Sequence, residues 1–476
     1  MFNSFNELKD FCDERGIKFV DFKVVDLKGR WHHLTMPIRS FTEEVLTDGV
    51  GFDGSSYGFL TVEKSDMVFI PDIKSAFVDP FSREPTLTMI GDIHTLDGGR
   101  ERYEGDPRYV AEKAEEYLQK SGIADTCLLG PELEFYILDH VSYRNSPNHM
   151  EVFLDSVQAE WNSADREAKN LGYKVPAHGG YHVDLPMDIT FDLRNEMVAN
   201  MEKLGVPVKY HHSENGGPGQ VEIELGFGPV RTSADWTMLL KYVVKNTAIA
   251  NNKTVTFMPK PFFGEAGSGM HVHIQLFKEG KPVFYDPDGY SALSDTALYA
   301  IGGILKHSPA IMAFTNPSTN SYKRLVPGYE APVSLCFGTA NRSSVIRIPG
   351  YATEPGEKRF EFRPLDATSN PYTAYAALLM AAIDGIKNKI DPTAEGFGPY
   401  DINVYALSEE ERSKIKSLPK SLDEAADCLQ KDHGFLLEGG VFTEGIIRDQ
   451  LKGIREDALR VGITPHPLEY QLYYDL

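Results

Sequence analysis

Gly130-Pro131-Glu132-Leu133-Glu134-Phe135-Tyr136-Ile137 sets two carboxylates two residues apart inside an otherwise apolar run. Successive side chains of a strand point to opposite faces, so Glu132 and Glu134 share one. The alternation recurs. Glu222-Ile223-Glu224 repeats it, with Glu214 eight residues before Glu222. His271-Val272-His273 repeats it with imidazoles, and Phe360-Glu361-Phe362-Arg363 puts a carboxylate and a guanidinium on one face. Any one of these strands reads equally well as half-solvated. Four with the same period are harder to read that way. If their faces converge, several negative charges meet, which is costly unless cations fill the space. Mostly oxygen donors with one imidazole suit Mg²⁺ or Mn²⁺ rather than zinc. The donor count fits two positions, one of three carboxylates and one of two carboxylates and a His.

Hard divalent ions with open positions usually serve phosphate oxygens. Arginines that suit phosphate or carboxylate flank the acidic strands: Arg324 in Asn320-Ser321-Tyr322-Lys323-Arg324, Arg342 and Arg347 in Asn341-Arg342-Ser343-Ser344-Val345-Ile346-Arg347, and Arg359 and Arg363 around Glu361. A planar guanidinium captures such groups with two bonds at once. Their apolar, Pro- and Gly-rich setting argues against a plain solvated face. Phe263-Gly264-Glu265-Ala266-Gly267-Ser268-Gly269-Met270 lacks the Lys-Ser/Thr ending of a Walker A loop. Directly before His271, it can still bring backbone close to a ligand.

Outward from these strands, the pattern predicts an α+β chain. Phe2 to Glu14 reads as an amphipathic helix, and 18–27, 32–38 and 86–94 as strands. Asp106-Pro107-Arg108 opens a helix over 109–120, which puts a domain boundary near residue 105. Beyond it strands are expected at 128–138, 178–185, 220–225, 271–277, 345–348 and 359–363, with helices at 191–204, 233–251, 295–313 and 371–389. Strands outnumber the crossovers a parallel sheet needs, so a mainly antiparallel sheet is expected. Residues 408–472 read as helical and charged.

The chain has 476 residues and a formal net charge of −21, from 69 acidic and 48 basic residues. That length allows two or three domains. The charge argues against nucleic acid or an anionic membrane as partner. No segment resembles a signal peptide or a membrane span. Cys12, Cys127, Cys336 and Cys428 are scattered without a CxxC, as free thiols in a reducing compartment would be, and the cytoplasm is expected.

These residues together resemble type I glutamine synthetases over nearly the whole chain. Seven blocks match in order: Asp53-Gly54-Ser55-Ser56, Gly130 to Phe135, Gly179-Gly180-Tyr181, His211 to Glu222, Met258 to His271, Asn316 to Pro332, and Asn341-Arg342-Ser343. The ending from Thr464 to Tyr474 and the Trp161-Asn162-Ser163 insert look like the long bacterial form. The resemblance implies a small N-terminal β-grasp-like domain (1–105) and a large catalytic domain (106–476) on a mainly antiparallel curved sheet with flanking helices. It implies ATP-dependent ligation of ammonia to glutamate through a γ-glutamyl phosphate, with two or more Mg²⁺ or Mn²⁺ per site. Glu134, Glu214 and Glu222 would hold one metal, and Glu132, His271 and Glu361 the metal nearer the nucleotide. Arg324 and Gly267 would bind glutamate. His211, Phe227, His273, Arg347 and Arg359 would bind ATP, while Arg342 and Arg363 would assist the transfer. Asp53 and Ser56 of a neighbouring subunit would join Tyr181, Glu214 and Glu330 around ammonium, with Asp53 as proton acceptor and Glu330 shielding the intermediate from water. The family assembles as a dodecamer of two hexameric rings, with active sites between subunits.

Three positions depart from the family pattern. Glu265-Ala266 replaces the usual Asp-Asn, His182 stands where an aromatic or Cys is usual, and Tyr405, at the modifiable tyrosine, lacks the Asp-Leu-Pro that usually follows. Ala266 keeps a γ-glutamyl-amine (polyamine or ethanolamine) ligase as an alternative reading. A catalytically inactive structural homologue is another, and it predicts lost ligands. None of the six proposed metal ligands is missing.

Overall fold

The computed structural model describes residues 2–96, 99–166, 170–326 and 331–474. Ser4 starts α1 (Phe5–Arg15) by accepting a bond from the Glu7 amide, and Gly16 ends it in the left-handed region at φ 62°. The helix packs on a six-stranded sheet made of β1 (Phe19–Val25), β2 (Trp31–Pro37), β3 (Val50–Asp53), β4 (Asp66–Pro71), β5 (Phe77–Val78) and β6 (Thr86–Thr95), with α2 (Glu43–Asp48) between β2 and β3. The order is β2-β1-β6-β4-β3, β5 pairs with β6, and β1 runs parallel to β6. Leu8 and Cys12 of α1 close its core over Val20, Phe22, Phe69 and Leu87. One helix packed across such a sheet is the β-grasp arrangement.

Asp106 then caps α3 (Pro107–Ser121) through the Arg108 amide, with Pro107 in the first turn. The second sheet has ten strands, and its main path runs β10 (Val208–Ser213), β11 (Gln220–Leu225), β7 (Thr126–Leu138), β14 (Met270–Lys278), β18 (Phe360–Phe362), β17 (Ser344–Ile348), β16 (Ser334–Thr339). The short strands β12 (Gly228–Pro229) and β13 (Thr254–Thr256) pair with β7, and β15 (Lys281–Pro282) with β14. Every pairing is antiparallel except β16 with β17, as the excess of strands over crossovers predicts. Helices α4 (Phe191–Lys203), α5 (Val230–Ala250), α6 (Asp295–Thr315), α7 (Ser321–Arg324) and α8 (Pro371–Lys387) flank it. The middle of α8 is apolar around the whole helix and buried, and α6 is buried over most of its length except at Lys306, so both fill the core instead of lining it. The C-terminal part is helical as expected, with α9 (Glu409–Ser413), α10 (Leu422–Lys431), α11 (Gly434–Leu437), α12 (Glu444–Gly462) and α13 (Pro467–Tyr473).

Several segments differ from the sequence reading: strands β3, β4, β10 and β16 form where none was expected. The strand expected over 178–185 is a series of turns, because His178 and His182 take φ of 57° and 54°, which breaks the pleat. A hairpin of β8 (His140–Ser146) and β9 (His149–Asp155) appears where no element was expected, its side chains largely exposed. Among the described residues no helix is long and apolar enough to cross a membrane. The four cysteines are free thiols.

Candidate functional site

The register of the second sheet builds the site in rungs. Glu222 of β11 lies beside Glu134 of β7, and Glu224 beside Glu132. Glu132 in turn faces His271 of β14. His273 pairs with Glu361 of β18, and Glu361 with Arg347 of β17. The residue-pair spacing read from the sequence thus becomes one polar face across five strands. It floors a pocket of about 390 Å³ lined also by Glu214, Gly267, Arg324, Arg342 and Arg363.

The acidic groups fall into two electrostatic halves. Burial would raise Glu132, but His273 and His271 hold it well below the usual carboxylate range. His273 Nε2 sits 2.8 Å from Glu132 Oε1 and His271 Nδ1 3.2 Å from Oε2. Burial would raise Glu361 too, yet Arg363 outweighs it and the group stays at about 2. Arg347 Nη1 donates to Glu361 Oε2 at 2.7 Å, and Arg363 donates to Oε1. The other half has only a weaker counterpart, His212. Burial, with Glu134 and Glu222, pushes Glu214 up to about 8, and burial with Glu132 and Glu134 pushes Glu222 well above its ordinary value. Its nearest imidazole is His212, 3.3 Å from Glu222 and 3.7 Å from Glu214. Carboxylates so buried and so close ask for cations. Among the described residues, ligand atoms within 4.8 Å of one another occur in three triplets: Glu132, Glu222 and His271; His212, Glu214 and Glu222; and Glu132, Glu224 and His273. Oxygen-rich triplets with one imidazole fit hard divalent ions, so the donor set passes the chemical test for such metals.

Arg324 enters at the end of α7 and is locked to backbone. Its Nη1 donates to Pro364 O at 2.7 Å and its Nη2 to Arg363 O at 3.2 Å. The glycine loop passes directly over it. A Cβ on Gly267 would come within 2.6 Å of Arg324 Cγ, and one on Gly269 within 2.3 Å of Nη2. Gln220 holds Gly267 O at 2.9 Å, Tyr136 holds Ala266 O at 2.7 Å, and Glu134 accepts from the Gly269 amide at 2.7 Å. The loop is therefore tied to the acidic strands. Phe227, His273 and Arg359 do not line this pocket, but Arg359 lies 5.4 Å from the ring of Tyr351, which does, and 5.6 Å from the Phe227 ring, itself 6.2 Å from His273. Two aromatic rings and a cation suit a flat heteroaromatic group.

Other expected residues lie elsewhere. His211 contacts Arg194 (3.2 Å) and Asn195 (3.0 Å) of α4, away from the carboxylates. The imidazole that reaches them is His212, which the sequence reading passed over. His212 has the parity of Glu214 on an alternating strand, a signal the sequence does carry. Lys209, Tyr210 and Tyr351 also line the pocket without having been expected there. Asp53 ends β3 and Ser56 sits in the short turn after it, both exposed, and neither lines this pocket. Hydrogen bonds from Ser55 and Ser56 hold the Asp53 carboxyl at about 2. Tyr181 lines the pocket and stacks on His182 at 4.0 Å, and His182 meets His212 edge-on at 4.5 Å. Glu330 lies outside the described residues.

A buried acidic face with imidazoles, opposed by arginines over an antiparallel sheet, defines a metal-dependent enzyme acting on carboxylate and phosphoryl groups. The chain belongs to the glutamine synthetase family. Residues 104–473 match the glutamine synthetase catalytic domain and residues 16–96 its beta-grasp domain. The glutamine synthetase of Frankia alni is 47% identical over 100% of both chains, and that of Nostoc sp. 48% identical over 98% of each. Among solved structures, a cryo-electron-microscopy structure of Plasmodium falciparum glutamine synthetase superimposes with a TM-score of 0.89 at 28% identity, covering 99% of each chain.

Proposed function

We propose a residue-by-residue assignment for this ligase, which joins ammonia to the side-chain carboxylate of glutamate with ATP. The observation that carries it is the pairing of an uncompensated acidic triad (Glu134, Glu214, Glu222) with a compensated one (Glu132, His271, Glu361) in one pocket under four arginines. Each triad would hold one divalent cation, Mg²⁺ or Mn²⁺, with His212 beside Glu214 and Glu222 of the first. When bound, such ions neutralise charge on the transferring phosphoryl group and its neighbours.

Phe227, Tyr351 and Arg359 hold the nucleotide, and Arg342, Arg347 and His273 steady its phosphates. Arg324 and the Gly267 backbone hold glutamate with its side-chain carboxylate toward the phosphates. A carboxylate oxygen attacks the γ-phosphorus and ADP leaves, giving an acyl phosphate. Arg363 stays near the oxygens that carry the developing charge. Ammonia then attacks the acyl carbon and phosphate leaves. Ammonium is first gathered by the Glu214 carboxylate and the Tyr181 hydroxyl and, from a neighbouring subunit, by the Asp53 carboxylate with the Ser56 hydroxyl. A carboxyl held near 2 suits Asp53 to electrostatic capture of ammonium. Its work as proton acceptor requires that value to rise against the neighbouring subunit. Glu330 closes the site against water.

The reading carries with it a domain boundary near residue 105, an oligomer with sites between subunits, a dodecamer by family likeness, and the cytoplasm, which the four free thiols support. The test is product formation from glutamate, ATP and Mg²⁺ with ammonium in one arm and putrescine in the other. Glutamine and ADP in equal amounts from ammonium are expected. A γ-glutamyl product from putrescine alone would overturn the ammonia assignment.

A further inference from the structure

On the other side of the catalytic domain lies a larger cavity, about 1310 Å³, between the β1–β2 turn, α5 and α12. Trp31, Tyr242 and Phe257 give it an aromatic wall, and Arg30, Lys241 and Lys245 are its conspicuous cations. Lys241 Nζ makes one hydrogen bond, to Ala367 O at 2.8 Å, and no ion pair among the described residues. Lys245 and Arg30 likewise have no carboxylate partner there. The three are close enough to repel. Burial, then Lys245, lowers Lys241 to about 7, and burial, then Arg30, lowers Lys245. Three of the four acids at the rim are engaged elsewhere, Asp26 with His32 at 2.9 Å, Asp457 with Lys28 at 3.2 Å and Asp449 with Arg448 at 3.1 Å, and the fourth, Glu456, makes no ion pair among the described residues. An ammonium beside Lys245, with Asp366 as its anionic neighbour but no ion pair to it among the described residues, is under-compensated for a group so placed.

The cavity also touches the catalytic pocket through one short stretch of backbone. Residues 364–367 accept from Arg324 at Pro364 O (2.7 Å) on the pocket side and from Lys241 at Ala367 O (2.8 Å) on the cavity side. The same stretch receives the Met270 amide at Leu365 O (2.8 Å), one residue before His271. Asn316 clamps its middle through Pro364 O at 2.7 Å and Asp366 at 3.0 Å. A ligand that recruits the Lys241 ammonium competes with Ala367 O for it.

We propose that this cavity is a second ligand site, taking a small metabolite anion bearing carboxylate or phosphate on Arg30, Lys241 and Lys245, and that its occupancy is read at Arg324 through residues 364–367. The binding part stands on the cavity alone. The coupling part rests on Arg324 as the glutamate ligand.

The test titrates citrate in one arm and inorganic phosphate in the other against the full-length assembled protein, with ADP and Mg²⁺ saturating the catalytic pocket. Trp31 emission is the readout, and Trp31→Phe is the blank. A saturable change is expected in the wild type, with affinity about tenfold or more weaker in the Arg30→Gln, Lys245→Gln double variant. Response to citrate alone assigns a carboxylate ligand, and response to phosphate alone a phosphate ligand. No saturable change in either arm, or equal affinity in the double variant, overturns the site. Kinetics test the coupling. The bound probe shifts KM for glutamate while kcat holds, and the double variant keeps basal activity and loses the shift. Binding without any KM shift overturns the coupling. Loss of glutamine formation with the Trp31 titration intact counts against the catalytic reading and leaves the cavity standing.

Discussion

Glu214 shows how one titration reports the chemistry of the pocket. Burial and its carboxylate neighbours raise it from 4.5 to about 8. In the cation-free protein the folded state therefore binds a proton that the unfolded state has released. Stability falls as pH rises from the unfolded value through the folded one. A divalent cation must displace the same proton, so its affinity tightens over that window. In chelator, the melting temperature is expected to be lower at about pH 8.5 than at about pH 6, and saturating Mg²⁺ should reverse the order. Thermal melts with and without chelator check this, and a chelator curve that rises with pH would remove the uncompensated triad. Glu222→Gln should shrink the Mg²⁺-induced stabilisation. Arg324→Lys keeps the charge but loses the fork whose arms engage Pro364 O and Arg363 O. KM for glutamate is expected to rise about tenfold, with KM for ATP much less affected. Initial-rate kinetics separate the two.

Helices carry their own titratable fastening. His307 of α6 bridges Asp384 of α8 at 2.9 Å and Asp432, at the end of α10, at 2.7 Å, with its ring 3.9 Å from Phe435 of α11. Burial would lower this imidazole, but the bonds to Asp384 and Asp432 raise it above 6.5. A raised histidine stabilises fully below its unfolded value, and that contribution is lost as pH climbs through the folded one. The wild type should lose stability above neutrality relative to His307→Gln. Below about pH 6.5 the variant should be less stable by about 2–4 kcal/mol. Denaturant unfolding at the two pH values measures both, and parallel pH profiles would exclude the histidine.

The two sheets are joined by a buried charge network. Arg108, in the first turn of α3, holds Asp72 (2.7 Å) and Asp92 (2.7 Å) of the N-terminal domain and Asp235 of α5 at 3.0 Å and 3.1 Å. Arg108→Met leaves these acids facing one another and should cost about 3–5 kcal/mol in urea unfolding. A cost under about 1 kcal/mol, as for a surface pair, would deny the network that role. Asp53 and Ser56 line no part of their own chain's pocket, and the proposed site draws them from a neighbouring subunit. Asp53→Ala and Glu222→Gln proteins, each inactive, should regain about a quarter of wild-type activity when equal amounts are reassembled together, because each site takes one residue from each subunit. No recovery would place both residues in one subunit's site.

Much of this was readable beforehand, because strand geometry has a period of two and charged residues in apolar runs stand out. Glu132, Glu134, Glu222, His271 and Glu361 announced themselves that way, as did the antiparallel sheet from the ratio of strands to crossovers. His212 was legible by the same parity but was overlooked for its neighbour His211. The turns at 178–185 mimicked a strand because local patterning does not reveal a left-handed His178 or His182. Order along the chain thus specified the strands, their polar faces and the need for cations. Folding alone chose which carboxylates lie close to histidine and arginine and which meet only a more distant imidazole, and it alone put Arg30 beside Lys245 and Lys245 beside Lys241. The reason is physical: periodicity is a local property of the backbone, whereas desolvation and Coulomb interaction depend on distances that exist only once remote strands and helices pack together.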